Sequence, residues 1–76
     1  MRGFIKRTFV DRGYGFLVEE RTGDDYFFHC RQLPHVSDFD GLMPGQIVEF
    51  EPDPSADRRR ASRVTVVGRG QGNRHV

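Results

Sequence analysis

The chain has 76 residues and a mass of 8.8 kDa, enough for one small domain with a thin core and no second one. Hydrophobic residues make up 36% and charged residues 30%, and no apolar run approaches the roughly 20 residues that a membrane-spanning helix needs. No export signal is expected. A lone cysteine, Cys30, excludes an internal disulfide framework, so the expectation is a cytoplasmic protein.

The net charge of +1 conceals a segregation. Residues 1–30 carry five basic and five acidic side chains, residues 31–57 one and six, and residues 58–76 six and none. A basic terminal quarter suits a polyanionic partner, although balanced charged faces that serve solubility give the same count.

Five strands are predicted in chain order. Phe4 to Val10 mixes apolar, basic and β-branched residues, and Asp11-Arg12-Gly13 ends it as a turn. Tyr14 to Glu19 follows, then a turn at Arg21-Thr22-Gly23-Asp24, then Asp25 to Cys30. Between Arg31 and Leu42, Pro34 and Gly41 break any helix, leaving at most one short turn. Gln46 to Glu51 and Ala61 to Val67 complete the set. Short strands at these spacings indicate an all-β protein, and a five-stranded antiparallel barrel leaves few open edges. The domain is expected over residues 1–67. Residues 68–76, with Gly68, Gly70 and Gly72 among them, read as a flexible Gly/Arg tail.

Five of the nine aromatic residues fall within the fifteen positions from Tyr14 to Phe28. In Arg12-Gly13-Tyr14-Gly15-Phe16-Leu17 the order of basic residue, glycine, aromatic, glycine and phenylalanine matches a ribonucleoprotein-type signature. Tyr14 and Phe16 share one face of a strand, and the small Gly13 and Gly15 are expected to leave that face open to a base. The next strand alternates likewise: one of the pairs Phe27/His29 and Tyr26/Phe28 must face inward. With Phe27 and His29 outward, they extend the Tyr14/Phe16 platform, and Leu17, Val48, Phe50, Val64 and Val66 supply a core. The competing reading puts all these rings in the core. A barrel of this length has no room for both aromatic faces.

Over roughly residues 3 to 67 the chain resembles the cold-shock domain family. The resemblance is carried by Gly3 with Ile5-Lys6, the Arg12 to Leu17 motif, Gly23 with Asp25, and Phe27 and His29. It continues through Phe39, Leu42, Gly45-Gln46, Val48-Glu49-Phe50-Glu51 and Ala61 with Val64-Thr65. It implies a five-stranded antiparallel barrel of the oligonucleotide/oligosaccharide-binding type that binds single-stranded RNA or DNA without catalysis; no cofactor is expected. It assigns base stacking to Tyr14, Phe16, Phe27, His29 and Phe39. Lys6 would meet the sugar-phosphate backbone with Arg12 beside it, Asp25 would make a polar contact, and Arg60 would touch bases. RNA-chaperone or gene-regulatory roles follow from the same resemblance; a monomer is expected, with a strand-exchanged dimer as the alternative.

The departures lie where the family has Trp-Phe-Asn after its lysine and Phe after its histidine: this chain has Arg7-Thr8-Phe9 and Cys30. Each lost stacking ring removes about 1–3 kcal/mol. The planar guanidinium of Arg7 can stack and attract phosphate in compensation, and Phe9 refills the surface if the strand is bulged. Arg58, Arg59, Arg60 and Arg63 add charge, so binding is expected to depend steeply on salt.

Weaker clusters give less. His29 and Cys30 are adjacent in a strand and expected on opposite faces, which argues against a metal site or a nucleophilic pair. A ribonuclease needs a general acid and a base converging on one site, for which His29 is the one candidate. No small-molecule substrate is indicated. The alternative to nucleic-acid binding is a protein-interaction module on the same barrel, its aromatic surface weakened at Arg7, Thr8 and Cys30.

Overall fold

The computed structural model describes residues 1–68. All five predicted strands are present: β1 (Arg2–Phe9), β2 (Tyr14–Glu19), β3 (Asp25–His29), β4 (Ile47–Pro52) and β5 (Ala61–Gly68). They form one antiparallel sheet in the order β3-β2-β1-β4-β5. The sheet curls until its two edges meet at a single parallel bridge between Phe27 and Arg60, where the Phe27 N–H donates to the Arg59 carbonyl at 3.1 Å. This is a barrel of the oligonucleotide/oligosaccharide-binding type whose last seam is one bridge rather than a full ladder.

Alternation places Leu17 on β2, Tyr26 and Phe28 on β3, and Val48 and Phe50 on β4 in the core, and on β5 a register shift opposite Glu51 and Pro52 brings Ala61 and Val64, three positions apart, to the same side. Tyr26 lies against Phe50 at 4.8 Å between ring centroids. Val66, expected in the core, is instead 38% exposed: β5 is an edge strand, and no further strand among the described residues covers that end. Two 3₁₀ turns, Cys30–Gln32 and Val36–Gly41, replace the single turn expected between β3 and β4. Such turns need only i to i+3 bonds and fit on either side of Pro34. They deliver Leu33, Phe39 and Leu42 to the core as its floor. Gly68, read as the start of the tail, closes β5 opposite Ile47, and the remainder of that tail lies outside the described residues.

One irregularity matters most for the site. On β1, Ile5 pairs with Leu17 and Arg7 with Phe16, so Lys6 is an extra residue in a β-bulge. Gly15 sits where the bulged strand approaches closest. A Cβ there would lie 2.6 Å from the Arg7 carbonyl oxygen and 3.1 Å from the Thr8 methyl. Gly15 is therefore buried beneath the sheet as a spacer between backbones, not the open floor beside the rings that its place in the motif suggests.

Candidate nucleic-acid interface

The bulge reverses the alternation of β1. Ile5 faces the core at 1% exposure, whereas Arg7 and Phe9 turn to the outer face. Thr8 falls on the Gly15 side. Register then lines up three strands into two cross-strand rows. Phe9, Tyr14 and His29 form one, and Arg7, Phe16 and Phe27 form the other.

The rings make a connected, half-exposed surface. Tyr14 lies between Phe9 at 5.1 Å and Phe27 at 5.3 Å. Phe16 meets Phe9, Tyr14 and Phe27 edge-on, at 6.4, 6.2 and 5.9 Å and interplanar angles of 85°, 89° and 74°. Edge-to-face contacts satisfy the ring quadrupoles laterally and hold the rings in place. Adjacent rings at such angles present faces that two bases stacked on each other cannot both cover, so a ligand must splay its bases. That favours a single strand over a duplex.

His29 is oriented by the turn that follows it. Its Nδ1 accepts from the Arg31 N–H at 3.2 Å, while its own N–H donates to Gln32 Oε1 at 3.1 Å. Gly13, with φ of 77°, takes the left-handed conformation of the β1–β2 turn, and its carbonyl accepts from the Cys30 N–H at 2.9 Å. Strand β3 ends at His29, so Cys30 is not the next strand position: its Sγ lies 3.6 Å from His29 Nδ1. The two are neighbours, contrary to the expectation of opposite faces. No cluster of three or more metal-ligating side chains occurs among the described residues.

Phe39, assigned to base stacking by resemblance, is a core residue. It is 2% exposed and packs edge-on against Phe28 at 6.0 Å, because its 3₁₀ turn directs it under the sheet. A ring with no free face cannot receive a base. Arg12 belongs to the β1–β2 turn, at the end of the sheet away from Asp25, and so does not stand beside Lys6.

Among the described residues the cations divide into those held in ion pairs or hydrogen bonds and those in neither. Lys6 Nζ bridges Asp25 at 2.9 Å and Arg2 bridges Glu49 at 2.7 Å. Arg59 Nε donates to the Asp25 carbonyl at 3.3 Å. In contrast, the Arg7 guanidinium lies 4.8 Å over the Phe9 ring and that of Arg60 5.2 Å over Phe27. Both arginines are exposed. A groove lined by Phe16, Asp25, Phe27 and residues 56–60 continues the aromatic face toward the β4–β5 loop. Arg58 and Arg59, part of the basic run but not assigned to the surface individually, line it. Phe9 was visible only conditionally in the sequence, since its place depends on the bulge.

A small curled β-barrel that presents half-exposed rings beside arginines in no ion pair among the described residues has the form of a nucleic-acid-binding surface. The chain belongs to the cold-shock domain family: the family model described as the 'Cold-shock' DNA-binding domain matches residues 1–67. It is 37% identical over 67 residues to a cold shock-like protein of Aquifex aeolicus, covering 88% of this chain and 94% of that one. It is 36% identical over 67 residues to a cold shock-like protein of Thermotoga maritima, covering 88% and 98%. To the cold shock-like protein CspG of Shewanella violacea it is 33% identical over 66 residues, covering 86% and 91%.

Proposed function

We propose that this protein binds single-stranded RNA or DNA by stacking splayed bases on Phe9, Tyr14, Phe16, Phe27 and His29. In this reading it acts as a monomeric cytoplasmic RNA chaperone or regulator of gene expression. The observation that carries the reading is the connected ring surface, in which four aromatic side chains from three strands lie within 6.4 Å of a neighbour while staying half-exposed. Each base held on a ring is withdrawn from hairpin pairing. Binding at about 1–3 kcal/mol per base is reversible enough to melt misfolded RNA without ATP. The test is a fluorescence-anisotropy titration of labelled oligothymidylate and oligouridylate with the wild type and with Phe16→Ala/Phe27→Ala, joined to opening of a fluorophore-quencher RNA hairpin. Binding that collapses in the double variant, with hairpin opening by the wild type alone, supports the reading. Binding indifferent to the double variant overturns it.

A further inference from the structure

The arginine run of the β4–β5 loop leads into a serine. In Arg58-Arg59-Arg60-Ala61-Ser62-Arg63, arginines stand two, three and four positions before Ser62 and one directly after it. No other serine or threonine of the chain has arginine at both the second and third positions before it. The register also singles Ser62 out. Glu51 pairs with Arg63 and Pro52 with Ala61, so Ser62 is the extra residue of a second β-bulge. It is exposed, and its hydroxyl makes one bond among the described residues, donating to the Glu51 carbonyl at 3.2 Å. Ser55 differs: its hydroxyl is held on the Asp53 carboxylate at 2.7 Å. Arg58, Arg59 and Arg60 are exposed, and none is in an ion pair among the described residues.

We propose that Ser62 is a phosphorylation site for a serine kinase that reads arginine, and that its phosphate switches off the basic side of the nucleic-acid surface. A kinase of this class selects its substrate by charge, binding arginines that precede the serine, and Arg59 and Arg60 supply them. Ser62 Oγ attacks the γ-phosphorus of ATP. The new Oγ–P bond replaces the bond to the bridging oxygen, ADP leaves, and the hydroxyl proton passes to a carboxylate of the kinase. The bulge already interrupts the ladder at Ser62, so the hydroxyl is presented by breaking its single bond to Glu51. Once esterified, the oxygen can no longer donate to that carbonyl, and the phosphate turns outward toward the flanking guanidinia of Arg60 and Arg63. Residues 58–63 carry four arginines and no acid, and one phosphate cancels about two of those charges. Three of these arginines line the groove beside Phe16 and Phe27. The switch rests on the nucleic-acid reading above, whereas the site itself does not.

The experiment incubates the full folded chain with ATP, magnesium and the catalytic subunit of cyclic-AMP-dependent kinase, an arginine-reading enzyme. Intact and fragment masses give the number and position of the phosphates, and amide spectra confirm the fold of each variant. A single phosphate on Ser62 is expected, and none on Ser62→Ala. Arg59→Gln/Arg60→Gln is expected to react about tenfold more slowly, having lost two charge-assisted contacts to the kinase. No phosphate on the wild type, phosphate at another residue, or an equal rate for the double arginine variant overturns the site. Hexathymidylate titration then compares the wild type before and after phosphorylation. Affinity is expected to fall about tenfold, since exposed charge contacts contribute up to about fivefold each. The log-log salt slope is expected to become shallower by up to about 1.4, the single-strand value for two lost phosphate contacts. Ser62→Ala treated with the kinase should keep the wild-type affinity. Unchanged affinity and slope after phosphorylation overturn the switch. Failure of the unmodified wild type to bind hexathymidylate overturns the nucleic-acid reading and the switch with it, while the masses decide the site on their own.

Discussion

Phe9 lies 5.1 Å from Tyr14 on the outer face of the sheet, while Ile5, an even number of positions before it on the same strand, is buried in the core. Strict alternation forbids that combination. The extra residue at Lys6 permits it and converts the segment that has lost two family aromatics into a contributor of one ring and one guanidinium. Phe9 and Phe39 therefore have opposite placements, one half-exposed on the outer face and one in the core, despite identical chemistry. Phe9→Ala is expected to weaken oligothymidylate binding by about 1–3 kcal/mol, with a small effect on stability. Phe39→Ala is expected to destabilise the fold by about 3–5 kcal/mol without changing the affinity of the folded fraction. Urea unfolding and anisotropy titration measured side by side separate the two.

Gly15→Ala places a methyl group 2.6 Å from the Arg7 carbonyl, a backbone atom with no rotamer to escape into. The strand pair must open at the bulge, at about 1–3 kcal/mol as for other overpacked sites. In a domain of this size that lowers Tm by several degrees, about 4–8 °C per kcal/mol. Oligonucleotide affinity should fall with it, because the same opening moves Arg7 and Phe9. Thermal unfolding without any loss of affinity would show that the bulge does not set the surface.

Asp25 neutralises Lys6 across 2.9 Å, with both side chains about half exposed. Such a pair contributes little stability, below about 1 kcal/mol. Asp25→Asn releases the ammonium for phosphate. The log-log salt slope of binding is expected to steepen by up to about 0.7, the single-strand value for one added phosphate contact. The melting temperature should hardly move. An unchanged slope would mean that Lys6 does not reach the bound strand.

Asp53 opens the β4–β5 loop that carries Arg58, Arg59 and Arg60. Its carboxylate accepts from the Ser55 hydroxyl at 2.7 Å and the Ser55 N–H at 3.0 Å, and these bonds, with the charge of Arg60, hold its pKa below the ordinary value. A carboxylate depressed in the folded state stabilises above its unfolded pKa and loses that contribution as pH falls through the folded one. Ser55→Ala is expected to raise the Asp53 midpoint toward the ordinary value in a carboxyl NMR titration. Asp53→Asn should flatten the acid limb of stability against pH. A midpoint unmoved by Ser55→Ala would assign the shift to the Ser55 N–H, which the variant keeps, and to Arg60.

Much of the fold was legible because its information is local. In β2 and β3 the period of two separates Leu17, Tyr26 and Phe28 from Tyr14, Phe16, Phe27 and His29, and the structure keeps that division. Turn residues bracket all five strands to within two residues. What the chain alone determined was therefore the strand pattern, the aromatic face of the β2–β3 hairpin and the segregated arginines. The tertiary structure decided the rest. A bulge is one residue long and leaves no periodic trace, yet it inverts every side chain beyond it, so Arg7 and Phe9 could be placed only once β1 was paired with β2. A 3₁₀ turn has too few residues to show a period, and Phe39 went inward because Phe28, eleven positions earlier, offered it a partner. Arg60 reached Phe27 only when the sheet curled far enough for its edges to meet, a contact between residues 33 positions apart that no local spacing encodes.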